Sequence, residues 1–237
     1  KIQGKFTESF APLGTLFINF EHTGEVKNYY RELDISKAIS KTRYRADGVN
    51  FSREYLISHP DQIMVVKLTA DKKKALNFSV KFNSLLKYET KVEDNILKVD
   101  GYAPYYVAHN VQRYVEDPVR FDKDRGTRFS SYLEVKKNGG KLTFTDSSLI
   151  VSGSIEAVIY LSIATSFNGF DKDPAKEGLD NKAIAGMQLS SALKKDFEDI
   201  KADSKTRVRQ EINNYRKSSD ETPQLIKRGA EILVVPE

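Results

Sequence analysis

The sequence predicts a mainly β protein: packed antiparallel sheets followed by a C-terminal helical segment. Three observations carry that reading. Apolar and polar residues alternate with period two through most of the chain before Asp171, in runs separated by Gly, Asp and Asn. Of 25 Phe and Tyr residues, 23 precede residue 191, leaving only Phe197 and Tyr215 beyond it. After Asp171 the apolar spacing lengthens to that of a helix.

The elements follow in order. Residues 16–20 (LFINF) form a strand after a Pro12-Leu13-Gly14 turn. Residues 42–45 and 49–55 alternate on either side of Asp47-Gly48, a strong hairpin signal because both turn residues tolerate positive φ. Residues 63–68 form a buried strand between Pro60-Asp61 and Asp71-Lys72-Lys73. Residues 76–82 (LNFSVKF) alternate cleanly, and 96–99 form a short strand. Residues 101–127 break the rhythm with a long excursion holding Tyr102, Tyr105, Tyr106 and Tyr114. Strands resume at 128–135, 142–144 and 149–151. Residues 157–164 read AVIYLSIA, which suits a strand buried on both faces. About ten short strands therefore argue for packed antiparallel sheets.

Beyond them, Leu189, Leu193, Phe197 and Ile200 fall at i, i+4, i+8 and i+11, one face of a helix that Ser190 and Ser191 are placed to cap. Val208, Ile212 and Tyr215 keep helical spacing, Pro223 ends it, and 231–235 is a strand-like tail. The expected organisation is a β domain over 1–170, a helical linker over 171–217 and an irregular tail over 218–237.

Composition excludes several functions. The chain has 237 residues and no cysteine, which removes disulfides, thiolate zinc sites and cysteine nucleophiles. His22, His59 and His109 lie far apart and make no zinc spacing. Neither GxGxxG, GxxxxGK[ST] nor GxSxG occurs. The pairs Asp122/Asp124 and Asp171/Asp173 lack the further ligands of a calcium loop and read as turns. No metal, no cofactor and no catalytic residue is expected. Net charge is +5, and residues 191–237 carry 10 basic against 9 acidic side chains, a solvated arm that gives no basis for nucleic-acid binding. No run is long enough to span a membrane. The chain opens at Lys1 without Met, so it is expected to be processed or cropped, with any export signal out of view.

The tyrosine loop is the one site-like feature. Aromatic faces stack sugar rings, and tyrosine adds a hydroxyl. Packing of the loop onto the sheets accounts for the same residues. As sugar contacts, the candidates are Tyr105, Tyr106, His109, Asn110 and Arg128: Tyr and His to stack and orient, Asn to bond hydroxyls, Arg to hold the loop.

Motifs then add a family. QGKFTESFAPLGTLFINF (3–20), YYRELDISKAIS (29–40), DGVNFSREYLISHPDQIMVVKLTA (47–70), GYAP (101–104), GTRF (126–129) and ATSFNGFDKDP (164–174) resemble, in order, glycoside hydrolase family 95, α-L-fucosidases and α-L-galactosidases. The resemblance covers about residues 1–203, and the wording is most similar to Bacteroides-type members. It implies an antiparallel β-supersandwich, a helical linker, an (α/α)6 barrel and a C-terminal β domain, in a secreted or periplasmic enzyme acting on fucosylated or galactosylated glycans. It places the inverting hydrolysis on the barrel, outside this chain, so the implied partner of the sandwich is the barrel and the sandwich is inactive alone. The LGNGRLG and NEDTLW-type motifs that precede QGKF in the family are absent, so the sandwich is expected to lack its first strands. Beyond Asp203 the sequence departs from the family linker. A free-standing carbohydrate-binding module, or a protein-interaction domain using the helical arm, are the alternative readings.

Overall fold

The computed structural model describes residues 11–108 and 116–219. Fourteen strands and two helices are described, in the order β1 (Thr15–Phe20), β2 (Lys27–Asp34), β3 (Ile39–Ala46), β4 (Val49–Ser58), β5 (Ile63–Ala70), β6 (Leu76–Asn83), β7 (Lys87–Glu93), β8 (Ile96–Tyr102), β9 (Tyr106–Val107), β10 (Val119–Arg120), β11 (Arg128–Asn138), β12 (Lys141–Phe144), β13 (Ser148–Ser154), β14 (Glu156–Thr165), α1 (Asn181–Ala192) and α2 (Phe197–Ser219). An eight-stranded sheet, β2-β3-β4-β5-β14-β11-β8-β7, faces a four-stranded sheet, β1-β6-β13-β12. Every pairing in both is antiparallel. The expected mainly β, antiparallel sandwich is the fold observed.

The alternation sorts each strand between two cores. Phe78, Val80, Leu149 and Val151 of the small sheet pack against Phe51, Leu68, Leu133 and Ile159 of the large one. The opposite face of the large sheet presents Leu56, Val65, Tyr132, Val158 and Tyr160 to Ala185, Leu189, Phe197 and Ile200 of the helices. Strand β14 serves both cores, its residues alternating between them, which is why AVIYLSIA carries almost no polar residue.

Two-residue loops join several strands. Asp47 (φ 51°) and Gly48 (φ 72°) form the expected β3–β4 hairpin turn. Asp94 (φ 53°) and Asn95 (φ 65°) do the same between β7 and β8. The sequence reading omits β2 and β7, the two edges of the large sheet. An edge strand with polar residues on both faces has no apolar alternation to reveal it, and β2 (KNYYRELD) is exposed over most of its length.

The helical segment needs one correction. Ser190 does not start a helix; it lies inside α1, whose N-cap is Asp180, with its side chain accepting from Ala183 N–H at 3.0 Å. The start is hidden because α1 meets the sheet through small residues, Ala185 and Ala192, flanking Leu189. The stripe Leu189, Phe197 and Ile200 is buried as its spacing implies, but a break between Leu193 and Asp196 divides it over two helices. Residues 218 and 219 belong to α2; the expected breaker Pro223 and the tail over 231–235 lie outside the described residues.

Candidate functional site at the end of the large sheet

Strands β8 and β11 run side by side with Asp100 opposite Ser130 and Tyr102 opposite Arg128. Register therefore puts the Asp100 and Ser130 side chains on one face, toward α1. Ser130 Oγ donates to Asp100 Oδ1 at 2.5 Å, and the Tyr132 hydroxyl lies 3.4 Å from the same oxygen. Burial, with the Asp100 charge behind it, raises the Tyr132 pKa, so that hydroxyl stays protonated and donates. Helix α1 completes the cluster with its first two residues. Asn181, only 7% exposed, donates from Nδ2 to Ser130 Oγ at 2.7 Å, and Lys182 Nζ sits 3.2 Å from Asp100 Oδ2.

Asp100, Asn181 and Lys182 of this cluster line an open cleft of about 780 Å³. Tyr102, Lys87, Arg128 and Lys182 line it, with the 174–180 stretch as one wall. Close backbone approach shapes that wall. A Cβ on Gly178 would collide with the Pro174 and Ser166 carbonyls, and one on Gly101 with the Lys87 carbonyl and the Phe129 ring. Ser166 ties the end of β14 to β11: its N–H donates to Arg128 O, and its Oγ accepts from Arg128 N–H, each at 2.9 Å.

The sequence-predicted residues separate. Arg128 lines the cleft, and its Nη2 donates to Lys123 O at 3.2 Å, across the 121–126 turn. Tyr105 and Tyr106 stand outside the cleft lining, on the neighbouring loop. Tyr106 opens β9, which pairs with β10, and Tyr105 N–H donates to Arg120 O at 3.0 Å. The Arg125 guanidinium lies 3.9 Å over the Tyr105 ring and that of Arg120 5.1 Å over Tyr106, so one face of each ring is covered by the chain itself. His109 and Asn110 lie outside the described residues. Asp122 and Asp173 act locally, accepting from the N–H groups of Asp124 and Ala175 at 2.9 Å.

Sequence reasoning missed Ser130, Asn181 and Lys182. No motif links positions that only strand register and a helix start bring together. The buried polar pattern of RFSSYLEV, two serines inside an apolar strand, was the available signal. Beside the cleft the surface turns apolar: Phe167, Phe170 and Leu179 are exposed, Phe170 to 92%.

The Asp100 carboxylate is engaged by Ser130, Tyr132 and Lys182, and Glu89, Asp124 and Asp180 also line the cleft. Among the described residues no cluster of three His, Asp or Glu could hold a metal ion, and no helix is long and apolar enough to cross a membrane.

Comparison with known proteins places the domain. The chain is 28% identical over 211 residues to "Alpha-L-fucosidase 2" of Arabidopsis thaliana, covering 85% of this chain and 25% of that protein. It thus spans about a quarter of that relative's length. Among solved structures, "Putative kojibiose phosphorylase from human microbiome" superposes with a TM-score of 0.54 over 81% of this chain and 27% of that one, at 9% identity, a likeness of fold alone. Residues 1–169 match the family described as Glycosyl hydrolase family 65, N-terminal domain, and the chain belongs to that family: it is the N-terminal β-sandwich of a glycoside hydrolase-like protein.

Proposed function

We propose that this chain is the non-catalytic sandwich of an α-L-fucosidase-like hydrolase of family 95, from a secreted or periplasmic enzyme of the Bacteroides type. Its role is to support an (α/α)6 barrel that carries the hydrolysis. The observation that carries this reading is the sheet-end surface. A polar cleft adjoins exposed Phe167, Phe170 and Leu179, an apolar patch of the kind another domain covers. The similarity to Alpha-L-fucosidase 2, of which this chain matches a quarter, supports the same assignment.

In this reading Arg128 and the loop bearing Tyr105 and Tyr106, with His109 and Asn110, contribute to the rim of a glycan site whose reacting groups lie on the barrel. The test is hydrolysis of an aryl α-L-fucoside. The chain alone is expected to be inactive, and the protein extended through the barrel to be active. Activity that follows this chain alone through gel filtration would overturn the proposal.

A further inference from the structure

The two sheets differ in width, and the difference leaves a second cleft. Among the described residues, strands β2 to β5 occupy one half of the large sheet, with β2 at its edge. On the face that looks toward the small sheet, Tyr29, Leu33 and Ile57 remain exposed. The segment after β1 leans over this overhang and encloses about 520 Å³, lined by His22, Tyr29, Arg31, Tyr44, Arg53 and Tyr55, with Ser40 and Thr42 between them. This lining shares no residue with the sheet-end cleft.

Register fixes how the cations stand. Arg31 is opposite Thr42, and Thr42 is opposite Arg53, so the three form one row across β2, β3 and β4. With strands about 4.8 Å apart, the two arginine backbones are separated by about 10 Å on one face, with a hydroxyl between them. Side chains as long as arginine can reach a common ligand across that gap. The adjacent row places Ser40 opposite Tyr55, a hydroxyl beside an aromatic ring.

Arg53 is held in place from below. Its guanidinium lies 3.9 Å over the Phe20 ring and 4.8 Å over Tyr44, and its Nη2 donates to the Tyr44 hydroxyl at 2.6 Å. Its Nε is buried and has no hydrogen-bond partner. An arginine nitrogen can only donate, so the Tyr44 proton is left for His22 Nε2, 2.7 Å away, which accepts as a neutral imidazole.

Among the described residues no Asp or Glu lines the cleft, and neither Arg31 nor Arg53 has a carboxylate oxygen within 4.0 Å. The opposite face of the same strands is arranged differently. There Lys41 and Lys201 share Glu54, and Lys67 pairs with Glu156 and Glu198. An exposed arginine, Arg31, and a part-buried one, Arg53, neither with a counter-ion among the described residues, form a site poised for an anion, and guanidinium groups suit a carboxylate. Tyrosine faces and a row of hydroxyls suit a sugar ring carrying that group.

We propose that this overhang cleft is a binding site for a uronate, a sugar residue bearing a carboxylate, with the acid on Arg31 and Arg53 and the ring against Tyr29 and Tyr55. The inference is independent of the assignment to a fucosidase, because it rests on neither the sheet-end cleft nor a barrel.

The experiment is a calorimetric titration of the full chain with D-galacturonate and D-glucuronate disaccharides, beside the neutral galactose and glucose disaccharides and acetate. Saturable binding of a uronate, at least tenfold tighter than its neutral counterpart and than acetate, and weakening with added salt, is expected. Arg31→Gln, on the exposed edge strand, is expected to lower uronate affinity at least tenfold with an unchanged melting temperature. Arg53→Met, checked for folding by circular dichroism, tests the second fork. Uronates that bind no better than neutral sugars, or an Arg31→Gln variant of unchanged affinity, would overturn the proposal. Equal binding of acetate would also overturn it, reducing the site to a general anion contact.

Discussion

Asn181 reaches from the first residue of α1 to Ser130 in β11, Nδ2 to Oγ at 2.7 Å, and the Ser130 hydroxyl donates a hydrogen bond to Asp100. One hydroxyl thus accepts from the helix and donates to the neighbouring strand. Further along, the helix meets the sheet through Ala185, Leu189 and Ala192 and through Ser162 of β14, whose Oγ donates to Ala185 O at 2.9 Å, whereas the Asn181–Ser130–Asp100 relay acts at the start of the helix. This hydrogen-bonded relay sets where α1 begins on the sheet and so sets the wall of the sheet-end cleft.

Asn181→Ala removes the buried donor and leaves Ser130 Oγ without its second partner. A loss of about 1–3 kcal/mol is expected in urea unfolding. Lys182→Ala, next in the chain but 64% exposed at its side chain, is expected to cost no more than about 1 kcal/mol. Equal losses for the two variants would mean that the surface ion pair, not the buried relay, anchors the helix.

Gly139 and Gly140 connect β11 of the large sheet to β12 of the small one, both with positive φ, 75° and 68°. They differ in surroundings. A Cβ on Gly139 meets nothing, whereas one on Gly140 runs into the Ser152 carbonyl and the Gly153-Ser154 backbone. Gly139→Ala therefore incurs only the left-handed strain, about 1–2 kcal/mol. Gly140→Ala adds a clash with backbone that cannot rotate away, and a loss of more than about 2 kcal/mol is expected. Thermal melts of both variants check the order, and equal losses would contradict it.

How much of this could be read from the chain follows from where the physics is local. Period-two alternation marks a strand with one buried face, so β4, β6 and β11 were legible; β2 and β7, polar edge strands, were not. Asp47-Gly48 disclosed its hairpin because positive φ is a property of two adjacent residues. The stripe at Leu189, Phe197 and Ile200 was readable, but the start of α1 was not, since close helix–sheet contact replaces large apolar residues with alanine. Among site residues, Arg128 was found on the cleft lining, whereas its companions Ser130, Asn181 and Asp100 meet only through cross-strand register and a helix terminus. The row of Arg31, Thr42 and Arg53 was invisible for the same reason.

Two carboxylates on the large sheet shift in opposite directions. Burial alone would raise the Glu54 pKa, but hydrogen bonds from Lys41 at 2.8 Å and Lys201 at 3.0 Å outweigh it and lower it below 4.5. Burial raises that of Glu134, and Lys136 offsets only part of the effect. For Glu54 the unfolded chain binds more protons as pH falls, so its stabilisation is present above pH 4.5 and is lost as pH drops through the lowered folded value. For Glu134 the folded chain binds more, so its penalty appears as pH rises above 4.5 and is complete once the raised folded value is passed. Glu54→Gln is expected to cost about 1–3 kcal/mol at pH 7, with the difference from wild type shrinking in acid. Glu134→Gln is expected to gain about 0.5–1 kcal/mol at pH 7 and nothing well below pH 4.5. Denaturant titrations at several pH values test both signs, and a stabilised Glu54→Gln at pH 7 would reverse the assignment.

His22 is a further pH-sensitive group, and its environment fixes the sign. It packs against Phe20 and Phe51 with ring centroids at 5.4 and 4.5 Å, and Tyr44 donates to its Nε2. Burial first, then the Arg53 charge, lower its pKa below 6.5, against a smaller opposing pull from Asp47. Below pH 6.5 the unfolded chain takes up a proton that the folded chain refuses, so stability falls with pH until the lowered folded value is passed. Gln at this position keeps an acceptor for the Tyr44 hydroxyl but cannot titrate. The stability difference between wild type and His22→Gln is therefore expected to be constant above pH 6.5 and to move against the wild type below it. In nitrogen-15 spectra the His22 ring should titrate below 6.5, with Nε2 unprotonated at neutral pH. A ring that titrates at or above 6.5, or carries its neutral-pH proton on Nε2, would show that Arg53 and Tyr44 do not act on it in the order their hydrogen bonds imply.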